Sequence, residues 1–133
     1  MANNITVIKI GGSTLGQHDT TLEDIIILQK QGRSLVVVHG GGKIITQWLT
    51  KLGASTRFVQ GERVTDQTGL EVTNAVLSAV VNKELVAFIN TRGGRAIGIC
   101  GVDGLMLQGR IKSAELGFVG EVVKVDQQLL KYF

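Results

Sequence analysis

Five glycines, one lysine and one arginine stand where they could handle an anion. Lys9 lies near the end of the apolar run Ile5-Thr6-Val7-Ile8-Lys9-Ile10, and Gly11-Gly12-Ser13 follow. A second run, Leu35-Val36-Val37-Val38-His39, breaks into Gly40-Gly41-Gly42-Lys43. Glycine after a buried strand lets the backbone approach a ligand, because no Cβ intervenes. Freed N–H groups with a helix start behind them favour a phosphate or carboxylate. A lysine in an otherwise apolar strand is costly to bury without an anionic partner. At the strand end its ammonium could reach the glycine turn and neutralise charge in a phosphoryl transfer. Gly40-Gly41-Gly42 exceeds what a tight turn needs, although close strand–helix packing could use one or two of these glycines.

The other polar candidates leave alternatives open. Arg63, in Gly61-Glu62-Arg63-Val64-Thr65, could grip a carboxylate with its planar fork or be simply solvated. His39 could be a general base, but a carboxylate nucleophile needs none, which favours a structural hydrogen-bonding role. Asp103, between Gly101 and Gly104, reads as a turn former before a metal ligand. One cysteine and two separated histidines argue against a zinc site, and no metal-binding residue is assigned. Neither turn has the spacing of a Walker A loop or of a dinucleotide fingerprint.

These groups need a scaffold. Both runs have the β-branched character and length of strands buried on both faces, about Ile5 to Ile10 and about Ser34 to Val38. Between them, Thr20 and Glu23 have capping-box spacing, and Leu22, Ile25, Ile26 and Leu28 form a helical face that Gly32 ends. The next helix starts beyond Gly42. Ile44, Ile45, Trp48, Leu49 and Leu52 share its stripe, Gly53 stops it, and Trp48 reads as core. The polar stretch Arg57 to Thr65 could fold as a hairpin around Gly61. Asp66 or Thr68 opens a long helical pattern that runs through Leu70, Leu77, Val80, Val81, Leu85 and Ile89 to Gly93-Gly94. A strand is expected from about Arg95 to Cys100, then a turn at Gly101–Gly104. Leu105 to Ile111 and Phe118 to Val125 look like a hairpin with Lys112 to Gly117 at its tip, and Asp126 caps a final helix. Strand–helix alternation predicts an α/β fold: a mainly parallel sheet flanked by helices on both faces, with β-hairpins.

With 133 residues, 44% hydrophobic and 19% charged, the chain has the make-up of one globular domain. The net charge of +3 is scattered without a Lys/Arg run, which argues against a nucleic-acid partner. The lone Cys100 reads as a small core residue and fits a reducing cytoplasm. No signal peptide is evident, and no apolar run approaches the ~20 residues of a membrane span, so no membrane partner is expected.

Five motifs then give a resemblance: Ile8-Lys9-Ile10-Gly11-Gly12, Val38-His39-Gly40-Gly41-Gly42, Gly61-Glu62-Arg63-Val64-Thr65-Asp66, Val81-Asn82-Lys83-Glu84-Leu85 and Gly101-Val102-Asp103-Gly104. Their order and spacing resemble those of the N-acetylglutamate kinases, a branch of the amino-acid kinase family, over essentially the whole chain. The resemblance implies transfer of the ATP γ-phosphoryl, with Mg, to the side-chain carboxylate of N-acetyl-L-glutamate in arginine biosynthesis. It implies that Lys9 stabilises the transferring group and that Gly11 and Gly12 form the first phosphate turn. Gly41 and Gly42 would meet substrate and phosphoryl, and Arg63 the substrate α-carboxylate. Family members are about twice as long, and their second half supplies most of the nucleotide pocket and a second catalytic lysine. Residues 1–133 therefore resemble the N-terminal, amino-acid-binding domain without the nucleotide-binding domain. Val102 departs from the lysine that relatives often carry. A cytoplasmic homodimer is expected, its contact involving the long helix after Asp66, because Leu70, Val72, Val76, Leu77, Val80 and Val81 nearly encircle that helix; burial by the sheet and a neighbouring helix is the alternative. Met1 stands so near Ile5 that the extra N-terminal helix of arginine-inhibited hexamers is not expected, nor is inhibition by arginine. A sibling kinase for an amino-adipate derivative, and a non-catalytic carboxylate- or phosphate-binding module, are the competing expectations.

Overall fold

A computed structural model of the chain describes residues 5–11 and 20–133. β1 (Ile5–Ile10) and β2 (Ser34–His39) pair in parallel, with Lys9 beside Val38 and Ile10 beside His39. α1 (Thr21–Lys30) makes the crossover between them, and α2 (Gly42–Lys51) follows β2 after a tight turn. α3 (Gln67–Asn74), a π-helical stretch (Ala75–Val81) and α4 (Asn82–Thr91) run on as one helix. Two antiparallel hairpins complete the elements: β3 (Phe58–Val59) with β4 (Glu62–Arg63), and β5 (Leu107–Ile111) with β6 (Gly120–Val125).

Strand side chains alternate between faces. Ile8, Ile10, Leu35 and Val37 turn to one face and pack with Ile25 and Ile26 of α1 and Ile89 of α4. Ile5, Val7 and Val38 lie on the other face with 55%, 65% and 47% of their surface exposed. Lys9 shares that face and is itself exposed. Among the described residues, the runs that composition reads as buried on both faces are therefore buried on one, and the helices lie against that one. Lys9 consequently escapes the desolvation cost expected for a lysine in a buried strand.

The second core joins α2 to the long helix: Ile45 and Leu49 meet Val72, Val76, Val81 and Leu85. Trp48 was expected here but is 39% exposed, and Leu52 is 63% exposed. The contact with the long helix uses the i, i+4 pair Ile45 and Leu49, which turns Trp48 to the flank. The π stretch has a clear packing reason. Buried positions run Val72, Val76, Val81, Leu85, Ile89. One step of five among steps of four keeps Val81 on the face of Val76, and a π-bulge supplies that extra residue. Gln67–Thr91 is long and apolar enough, by length and composition, to cross a bilayer, contrary to the expectation from apolar runs. Here its apolar stripe builds the two cores.

Helix ends follow local chemistry. Asp66 caps α3 by accepting from Gly69 N–H at 2.7 Å. Gly32 and Gly53 end α1 and α2 with positive φ and Schellman bonding: Arg33 N–H to Leu28 C=O, and Ala54 N–H to Leu49 C=O. The Thr20 capping box does not form. Its hydroxyl donates to Asp24 instead, at 3.3 Å.

Two expected elements differ. Arg95–Cys100 forms no strand ladder among the described residues. The Gln29 side-chain amide pairs with both N–H and C=O of Arg95, and the Asn90 amide does the same at Ala96. These amides occupy the bonds that a neighbouring strand would make. After Asp126, only a short 3₁₀ turn (Leu129–Tyr132) forms. Cys100, expected in the core, is half-buried.

Candidate active site

Parallel strands leave their carboxyl ends at one edge, where α/β folds bind ligands. β1 ends in Lys9, Ile10 and Gly11, and β2 ends in His39 and the Gly40–Gly42 turn, so both glycine motifs open at the same edge. Gly12 lies outside the described residues. No hydrogen bond or ion pair joins the Lys9 ammonium to the other candidates among the described residues.

Gly41 and Gly42 divide the possible reasons for glycine between them. Gly41 is the residue before α2 and is buried; a Cβ there would meet Leu77 Cδ2 at 2.8 Å and Val81 Cγ2 at 3.3 Å. Close packing on the long helix accounts for it. Gly42 is exposed with open space around its missing Cβ. It opens a ten-residue helix whose first backbone bond is Ile45 N–H to Gly41 C=O at 3.0 Å. The N–H groups of Gly42, Lys43 and Ile44 precede that bond and lack intrahelical partners, as at every helix start.

Arg63 is brought to this helix start by the short β3–β4 hairpin. Its Nη2 donates to Gly42 C=O at 3.1 Å and to Thr46 Oγ1 at 2.8 Å. Its guanidinium sits 4.8 Å from the Phe58 ring centroid. The other terminal nitrogen, Nη1, is buried with no hydrogen-bond partner among the described residues. Burial lowers the arginine's pKa from its usual value by disfavouring the charge. Neighbouring Glu62 is held by Lys112 at 2.6 Å, so this adjacent carboxylate is engaged elsewhere. A half-buried, charged fork with one unpartnered nitrogen favours an incoming anionic acceptor.

His39 is structural in its contacts, as its sequence context suggests. Its ring lies between Gly40 C=O and the Asn82 amide, at 3.1 and 3.2 Å. Asp103 forms the expected turn, accepting from Cys100 N–H at 2.7 Å; that bond is the main cause of its lowered pKa. Thr46 and Phe58 are site neighbours that sequence reasoning did not single out, and Asn82 entered it only as part of the Val81–Leu85 motif, with no role given. Asn82 carried a signal: a polar residue between Val81 and Leu85 on an apolar helix stripe.

Residues 4–133 match the Amino acid kinase family. The chain belongs to that family. It is 46% identical over 129 residues to the acetylglutamate kinase of Dehalococcoides mccartyi (strain CBDB1), covering 97% of this chain and 47% of that protein. The acetylglutamate kinase of Cyanidioschyzon merolae is 43% identical over 129 residues, with 96% and 44% covered. The crystal structure of smu.665 from Streptococcus mutans UA159 superposes with TM-score 0.88 at 26% identity, over 97% of this chain and 54% of that one. N-acetylglutamate synthase from Neisseria gonorrhoeae, complexed with coenzyme A and N-acetyl-glutamate, shares the fold: TM-score 0.72 at 23% identity, with 98% and 31% covered. This member of the amino acid kinase family spans about half the length of the curated relatives it matches.

Proposed function

We propose that the chain is the N-terminal, amino-acid-binding domain of a cytoplasmic acetylglutamate kinase of arginine biosynthesis. A side-chain carboxylate oxygen of N-acetyl-L-glutamate attacks the γ-phosphorus of ATP. The bond from that phosphorus to the bridging oxygen of ADP breaks, and an acyl phosphate leaves with ADP. No proton need move, which agrees with a His39 engaged in structural bonds.

The observation that carries this reading is Arg63 at the start of α2, with Nη1 buried and unpartnered beside open helix N–H groups. A molecule with two carboxylates suits it: one on the Arg63 fork, the other reaching the glycine turns. Lys9, exposed and without an ion pair among the described residues, fits the phosphates of ATP and would follow the transferring group with its charge. Gly11, with Gly12, would line the phosphate turn. No group of three or more His, Cys, Asp or Glu among the described residues could hold a metal ion. Magnesium would come with the nucleotide and supply charge that neutralises its phosphates. The nucleotide domain would come from a second half like that of the relatives, and pairing through the long helix would make a homodimer.

The test is a coupled ADP-release assay on the complete gene product with ATP, Mg²⁺ and N-acetyl-L-glutamate, with hydroxylamine trapping of the acyl phosphate. Turnover with an amino-adipate derivative but none with N-acetylglutamate would reassign the substrate.

A further inference from the structure

Asn82 has a buried, hydrogen-bonded polar side chain near the β2–α2 turn, and the proposed reaction gives it no task. It is 8% exposed on the first turn of α4. Its Oδ1 accepts from Lys83 Nζ at 2.9 Å, and the same ammonium donates to Gly98 C=O at 2.9 Å. An ammonium is a donor only, so it fixes which end of the Asn82 amide is oxygen. The amide nitrogen then faces His39 Nε2 at 3.2 Å and donates to it. Nε2 must accept, so the ring proton sits on Nδ1, which donates to Gly40 C=O at 3.1 Å. A Cβ at Gly98 would overlap the Asn82 amide oxygen, so Gly98 is needed for this arrangement.

The relay ends on a peptide that matters. The Gly40–Gly41 unit is planar, so holding its C=O toward the His39 ring turns the Gly41 N–H to the opposite side. Gly41 itself is seated by Leu77 and Val81, adjacent to Asn82 on the same helix. One helix thus sets both position and rotation of the turn. We infer that Asn82 is a positioning residue: through the His39 tautomer it orients the Gly40–Gly41 peptide and with it the amides that meet the anionic substrate. The identity of that substrate rests on the proposed function; the relay does not.

The first experiment records ¹⁵N-histidine spectra of the chain with and without Asn82→Ala. The wild type should show His39 with its proton on Nδ1, and the variant a mixture of tautomers with a shifted Gly41 amide resonance. An Nε2-protonated wild type, or identical spectra, would overturn the inference. If Asn82→Ala does not fold, the isosteric Asn82→Asp replaces it. Its carboxylate should draw a proton to Nε2, and a ring left unprotonated there is equally decisive against the relay. The second experiment is a double-mutant cycle in the complete gene product. Asn82→Ala should lower kcat/KM for N-acetyl-L-glutamate by about tenfold, but by less than about threefold in a His39→Asn background, whose amide can hold Gly40 C=O without tautomer control. Equal losses in both backgrounds would show that Asn82 does not act through His39. If the wild-type gene product transfers no phosphoryl group, the proposed function fails, while the histidine spectra still decide the relay.

Discussion

The two strand ends that run into glycines look alike in sequence, and their described residues are held differently. The β2–α2 turn is held on every side. Gly41 is pressed against Leu77 and Val81, Gly40 C=O is tied to His39, and Gly42 C=O accepts from Arg63. At the end of β1, Lys9 stands on the open sheet face with an exposed side chain. A fixed array of amides costs no reorganisation when an anion arrives, so it suits a group bound in one place. A point charge on a flexible stem suits a group that moves. Under the proposed function, the rigid turn would take the carboxylate substrate and the exposed cation the travelling phosphoryl.

The largest expected effect breaks the free-cation side. In the complete gene product, Lys9→Ala should lower kcat by about 10²–10³-fold, by analogy with the loss of one preorganised oxyanion donor. Binding of N-acetyl-L-glutamate should change little, and so should stability, since exposed substitutions usually stay within about 0.5 kcal/mol. Steady-state kinetics and thermal melting check both parts. A raised KM with unchanged kcat would place Lys9 in ground-state binding. Next in size is Arg63→Ala on the rigid side. Losing a charged hydrogen bond of about 1.5–3 kcal/mol should raise the KM for the acyl amino acid by roughly 10- to 100-fold. The KM for ATP should stay put, and Arg63→Lys should recover little, because an ammonium cannot reproduce the fork. Loss of ATP affinity instead would place Arg63 on the nucleotide side.

How much of this was legible depended on whether the cause was local. The β1, β2 and α2 boundaries follow from runs and glycines adjacent in sequence. Lys9, Gly41, Gly42 and Arg63 were legible as candidates for the same reason. What stayed hidden depends on partners far along the chain. Trp48 sits on the stripe of Ile45 and Leu49, and only the long helix, about twenty residues on, decides which flank is covered. Arg95–Cys100 has strand composition, but the N–H and C=O of Arg95 are taken by Gln29, 66 residues away. The choice between packing and ligand contact at Gly41 was likewise unreadable without Leu77 and Val81. The His39 partner was undetermined because Asn82 lies 43 residues later.

Substitution within the rigid turn sharpens its internal division. Gly41→Ala places a methyl 2.8 Å from Leu77 Cδ2, and overpacking of this kind costs about 1–3 kcal/mol. Gly42→Ala enters open space at a helix start and should change stability by no more than about 0.5 kcal/mol. Urea denaturation of the three proteins gives the comparison directly. Equal losses would mean that packing on the long helix does not distinguish the two glycines.

The smallest effect concerns a third glycine-flanked turn, Gly101–Gly104, which a charge closes where packing closes the β2–α2 turn. The Cys100 N–H donates to Asp103 Oδ2 and holds this exposed carboxyl below its ordinary pKa. A group whose pKa is lowered by folding stabilises the fold above its unfolded value, about 3.9 for aspartate. That contribution is lost as the pH falls through the folded value. Asp103→Ala should therefore melt slightly below the wild type at pH 7, and the gap should narrow once the pH drops beneath the ordinary aspartate value. Melting curves of both proteins across that range test the sign. A gap that persists unchanged into acid would mean that the turn depends on the shape of the side chain at position 103, and its ionised carboxylate would then not be the clamp.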